Sequence, residues 1–157
     1  MSDDFPGDVR LIIEPVLSER GFVLDEIQDG TGDGGRHLSV VYFRSADCRM
    51  QIYESAREGE TNSMIAPLDA PNEFGLRSAS KKWQYLTKFV KRPDLRLKER
   101  VKLARQDYES YANPLEWIKA RIEADFEAAH AGILNTGRPC NSPQAGCQDD
   151  GGYANLS

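Results

Sequence analysis

The sequence predicts an α+β fold: a small antiparallel sheet of three or four strands covered by helices, with a helical C-terminal half. Three observations point there. Residues 22–67 hold short β-branched and aromatic runs separated by turn residues. From residue 81 the apolar spacing changes to the three-and-four rhythm of a helix. At the same place the local charge reverses, from a net −8 over residues 1–80 to a net +8 over residues 81–105. The 157 residues suit one domain, placed at 5–134, able to bury a core without metal or disulfide staples. Residues 135–157 are mostly Gly, Pro, Asn, Gln and Asp, with little to bury, and are expected to be disordered.

The elements follow in order. Val9, Ile12, Ile13, Val16 and Leu17 form one apolar stripe, so residues 7–20 read as a helix, kinked or shortened at Pro15 and stopped by Gly21. Residues 22–28 read as a first strand and 29–36 as a flexible, glycine-rich connection. Residues 37–44 are apolar on both faces, an internal strand. After the Ser45–Asp47 turn, residues 48–54 alternate. Cys48, Met50 and Ile52 face one way and Arg49, Gln51 and Tyr53 the other, which predicts a half-buried strand. Residues 61–67 make a fourth, weaker strand, and 68–80 a polar loop. Trp83, Leu86, Thr87 and Val90 share a helical face, and that helix ends at Pro93. Leu97, Val101, Ala104, Tyr108 and Tyr111 form the next stripe. In Asn113-Pro114-Leu115-Glu116, Asn113 is the cap, Pro114 sits in the first turn, and Glu116 is placed to complete a capping box. Ile118, Ile122, Phe126, Ala129 and Ile133 are the last stripe.

Composition excludes several classes. No stretch approaches the roughly 18 apolar residues of a membrane span, and the acidic N-terminus lacks the apolar region of a secretory signal, so the expected location is the cytoplasm. Three cysteines, Cys48, Cys140 and Cys147, do not describe a disulfide scaffold; a Cys140–Cys147 bridge would staple only the tail. The two histidines, His37 and His130, sit in no zinc motif, and neither a metal nor a cofactor site is predicted. Gly30, Gly32, Gly34 and Gly35 resemble a phosphate loop in composition only, because a strand rather than a helix follows. Pairing through the Ser45–Asp47 turn places Cys48 opposite Arg44 rather than His37, so Cys48 reads as a core residue and not as half of a Cys/His dyad.

The charge map offers two surfaces. Lys81, Lys82, Lys88, Lys91, Arg92, Arg96, Lys98, Arg100, Lys102 and Arg105 form a basic block, with Trp83 and Tyr85 available to stack on bases. The acidic first half is suited to steering a basic partner, and within it Glu54, Glu58 and Glu60 flank the turn at residues 57–60, beside Tyr53, Arg57 and Asn62, a cluster suited to acid–base work or to holding a divalent ion.

The order helix, meander, helices over residues 9–130, with the charged turn Tyr53-Glu54-Ser55-Ala56-Arg57-Glu58-Gly59-Glu60, resembles small bacterial accessory proteins, including some immunity proteins that neutralise toxins. The resemblance implies a protein-binding role and carries across no site residue. The working function is a non-enzymatic protein-binding or regulatory domain, immunity-like toward a basic partner, docking through Tyr53, Arg57, Glu58 and Glu60. Two alternatives stand beside it: a nucleic-acid-binding accessory protein using the basic 81–105 block, and a small enzyme using the Glu54–Glu60 carboxylates. Sequence does not set the oligomeric state.

Overall fold

The computed structural model describes residues 4–31, 35–89 and 95–136. Its order is α1 (Phe5–Ile12), α2 (Glu14–Ser18), β1 (Val23–Thr31), β2 (His37–Arg44), β3 (Cys48–Ser55), β4 (Glu60–Pro67), β5 (Gln84–Tyr85), α3 (Leu97–Glu109) and α4 (Pro114–Thr136). The strands form one antiparallel meander in sequence order, β1-β2-β3-β4-β5.

The first stripe is two helices. Asp4 caps α1 by accepting from Gly7 N–H, and the helix breaks at Ile13 before Pro15, which sits in the first turn of α2 where its missing N–H is harmless. Gly21, at φ 87°, ends α2 in a left-handed conformation. At the other end of the chain the side chain of Asn113 accepts from Leu115 N–H and starts α4. Leu115, Ile118, Ile122, Phe126, Ala129 and Ile133 of α4 are all buried.

Side-chain alternation divides the core in two. Val41, Phe43, Cys48, Met50, Ile52 and Ile65 face α1, α2 and α4 in the larger core. Val40, Tyr42, Tyr53, Met64 and Ala66 face the opposite way and pack with Ala70 and Trp83. Segment 68–83 is therefore not simply a polar loop but the cover of the second face. Gln51, fully buried, donates to Glu73 O and accepts from Gly75 N–H, and Trp83 Nε1–H donates to Pro71 O. These bonds explain why β3 is buried on both faces rather than half-buried.

The helix expected after residue 81 does not form among the described residues. Lys81 has φ 57°, Gln84–Tyr85 pairs with β4, and Leu86–Phe89 is a short 3-10 turn. Trp83 joins the second core and Leu86 the first, so this segment crosses the sheet edge instead of laying one face on it. Gly132 of α4 backs onto that turn; a Cβ there would overlap the Phe89 ring. The expected disorder of the tail lies outside the described residues beyond position 136, as do Lys91, Arg92 and Pro93. No helix of the described residues is long and apolar enough to cross a membrane.

Candidate functional site

The acidic cluster does not assemble as one site. Tyr53 is fully buried, its ring edge-on to Phe74. Its hydroxyl donates to Glu60 Oε2, and the Tyr85 hydroxyl donates to the same oxygen at 3.1 Å. Desolvation pushes both phenols up, and the Glu60 charge adds to it. Glu54 is buried on the other face of the sheet, where Oε1 meets His37 Nε2 at 3.2 Å. Glu58 stands on the exposed turn, 3.9 Å from Arg77, and Arg57 is exposed. Alternation along β3 and the turn sends these side chains in three directions. A cleft of about 510 Å³ opens between the end of the sheet, α1 and the start of α4, and reaches Asp8, Glu54, Glu60 and Thr61.

The basic block is likewise dispersed. Lys82 pairs with Asp69 at 2.9 Å and Lys88 donates to Gln84. Trp83 is buried and the Tyr85 hydroxyl is committed to Glu60 and Tyr53, so neither ring is set out for stacking on a base. Arg96 precedes α3, its N–H donating to Glu99 Oε1. Among the described residues Lys98, Lys102 and Arg105 of α3 are exposed and make no ion pair.

Helix α3 is the main departure from expectation. Its stripe has the right period, yet no α3 side chain is buried: Leu97 is 65 % exposed, Val101 51 % and Leu103 49 %. A 13-residue helix with no buried face is marginal in water by itself, since isolated helices under about 12–15 residues scarcely hold. Only its C-terminal end is anchored. Tyr108 packs edge-on against Trp117 of α4 at 4.9 Å, and Trp117 Nε1–H donates to Asp107. The rest of α3 stands off from the sheet edge and leaves a groove of about 820 Å³ between α3, the start of β4 and α4.

The groove is amphipathic. Leu97 and Val101 lie along one wall, Trp117 and Tyr108 close the end, and Arg100 and Arg121 reach inward. The Nε–H groups of Arg100 and Arg121 are buried without a hydrogen-bond partner among the described residues. An unmet buried donor of this kind costs about 1–3 kcal/mol, more for a charged group. Asp125, beside Arg121 at 3.5 Å, is buried deeply enough to push its carboxyl above the usual range, against the pull of Arg121.

A third cluster joins distant parts of the chain. His130 Nε2 of α4 lies 3.1 Å from both carboxylate oxygens of Asp47, in the β2–β3 turn. This contact lowers the Asp47 carboxyl below its usual range. Cys48 is fully buried beside them, and burial pushes its thiol up to about 11, the opposite of what a nucleophile needs. His130 stacks on Phe126.

No protein-family model, curated protein or solved structure matches the chain. The class that the fold and its surface define is an α+β domain, a five-stranded meander whose central strands β2–β4 are buried on both faces, with one helix left largely unpacked beside a groove.

Proposed function

We propose that this chain is a non-enzymatic protein-binding domain that receives an acidic, amphipathic segment of a partner protein in the α3 groove. The observation that carries the reading is that α3 buries none of its own side chains while flanking a groove of about 820 Å³. Apolar side chains of the partner would cover Leu97 and Val101, and its carboxylates would meet the guanidinium groups of Arg100 and Arg121, the latter in competition with Asp107 and Asp125. Exposed Lys98, Lys102 and Arg105 on α3 add attraction for the partner's carboxylates, while Glu58, Glu60, Asp107, Glu109 and Asp125 in the groove lining would meet its cations. The turn at residues 57–60 offers less to a basic partner, because Tyr53 and Glu60 are turned to each other and only Arg57 and Glu58 stand out. A second reading, acid–base catalysis, is favoured by the cleft that reaches Glu54 beside His37.

The test uses a synthetic acidic amphipathic helix as probe, followed by Trp117 fluorescence and calorimetry. Saturable binding that weakens with salt, and is lost in Val101→Glu and Arg121→Glu but kept in Glu54→Gln, supports the groove reading. Binding that survives both groove variants, or no binding at low salt, overturns it. Light scattering of the free chain is run alongside. A stable dimer broken by Val101→Glu would make a second copy the occupant, and would also overturn the proposal as stated.

A further inference from the structure

We propose that Asp47, Cys48 and His130 form a site for one divalent cation of the zinc class. An Asp47 carboxylate oxygen, Cys48 Sγ and His130 Nε2 lie within 4.8 Å of one another, and among the described residues no other group of His, Cys, Asp and Glu converges in this way. A tetrahedral zinc ion with bonds of about 2.0–2.3 Å spaces its donors roughly 3.3–3.8 Å apart. The contact of 3.1 Å between Nε2 and the carboxylate is slightly closer than that, and the upper bound of 4.8 Å lies about an ångström beyond it. Side-chain adjustments of about an ångström bring the set to ligand geometry.

The supports around these donors are those a ligand set needs. Ser45 Oγ accepts from Asp47 N–H at 3.3 Å and Cys48 N–H at 3.2 Å, and Ser45 N–H donates to Cys48 O at 2.9 Å, so the turn holds both of its ligands in place. His130 is kept in plane by stacking on Phe126, 5.2 Å between centroids at 14°. Ser45 Oγ, 3.1 Å from Asp47 Oδ1 and 3.5 Å from Cys48 Sγ, is an outer-sphere partner that orients both donors, and the fourth ligand would be water. Access is open on one side, with Asp47 47 % and His130 32 % exposed, while Cys48 closes the other.

The donor chemistry selects the ion. Magnesium and calcium take all-oxygen sets, whereas thiolate with imidazole and carboxylate suits zinc. Binding is balanced by one proton: the Cys48 S–H bond breaks, sulfur binds the cation, and the proton passes to solvent. A simple His130–Asp47 hydrogen bond tying α4 to the turn has no need of Cys48, and that difference makes the proposal testable. It is independent of the groove reading.

The experiment uses the full chain carrying Cys140→Ser and Cys147→Ser, so that no other thiol competes. After chelator treatment it is titrated with zinc chloride against a chromophoric chelator, and in parallel with cobalt(II) followed by absorption. The expected result is one equivalent per chain, a thiolate-to-cobalt charge-transfer band, and binding weakened by about 100-fold or more in Cys48→Ala and in His130→Ala, beyond what loss of an outer-sphere partner costs. Circular dichroism checks that each variant is folded, and Cys48→Ser, nearly the same size, replaces Cys48→Ala if the alanine variant does not fold. Absence of stoichiometric binding, a cobalt spectrum without the thiolate band, or affinity indifferent to Cys48 and His130 overturns the proposal.

Discussion

The Tyr53–Glu60 contact decides whether the turn at residues 57–60 is surface or structure. The perturbation is Tyr53→Phe, which keeps the buried ring against Phe74 and removes only the hydroxyl. That hydroxyl donates to Glu60 Oε2 and lies 3.2 Å from the Tyr85 hydroxyl, which donates to the same oxygen. A hydrogen bond to a charged group contributes about 1.5–3 kcal/mol. Glu60 is only half-buried and keeps Tyr85 as a donor, so the loss is placed at the lower end, about 1.5 kcal/mol. In a chain of this length that lowers Tm by roughly 3–6 °C. The assay is urea unfolding by circular dichroism for wild type, Tyr53→Phe, Glu60→Gln and the double variant. The cycle should return a coupling of about 1 kcal/mol, because the two groups touch. A cost below about 0.5 kcal/mol with no coupling would refute the reasoning, since that is the range of ordinary surface substitutions. It would make the Tyr53–Glu60 contact incidental to the stability of the fold.

Three further predictions separate packed from unpacked elements and fix a pH dependence. Ile122→Ala, at a fully buried position of α4, should cost about 2–5 kcal/mol in the same unfolding assay. Val101→Ala in α3 should stay within about 0.5 kcal/mol, because its side chain is already half in water. Asp25 is held below its ordinary 3.8 by the Asn72 side chain first, then by Arg49 and Arg44. A folded-state value below the unfolded one stabilises above that ordinary value, and the contribution is lost as pH falls through the lowered one. The stability gap between wild type and Asp25→Asn should therefore be flat near neutral pH and shrink below pH 3.8. A gap that widens on acidification would reverse the sign and the assignment.

What local chemistry decides was readable along the chain. Strand β2 spans residues 37–44 as its run of Leu38, Val40, Val41, Tyr42 and Phe43 implies, because β-branched and aromatic side chains suit a pleated, buried surface. Asn113 caps α4 and the Ile118–Ile133 stripe is buried, because a cap and a repeat of three and four are properties of one segment. Position 83 misled because Trp83 and Leu86 are both apolar at helical spacing, yet they go to opposite faces of the sheet. Periodicity records which side chains leave water and not which neighbour takes them.

The same limit applies to each candidate site. The stripe Leu97, Val101, Ala104, Tyr108, Tyr111 is visible in sequence, but that only its Tyr108 end packs, against Trp117, while Leu97, Val101 and Ala104 stay exposed depends on where α3 comes to rest. The pairing of His130 with Asp47 spans 83 residues and follows from α4 crossing the β2–β3 turn. The sequence by itself determined the α+β order, the internal strand and the last helix, since these arise from contacts and propensities within a few residues. Only the tertiary structure decided that Tyr53 and Glu60 face each other, that segment 68–83 covers the second face, and that the α3 stripe stays in water. Those outcomes are set by long-range packing, where the burial of one segment depends on where every other segment has come to rest.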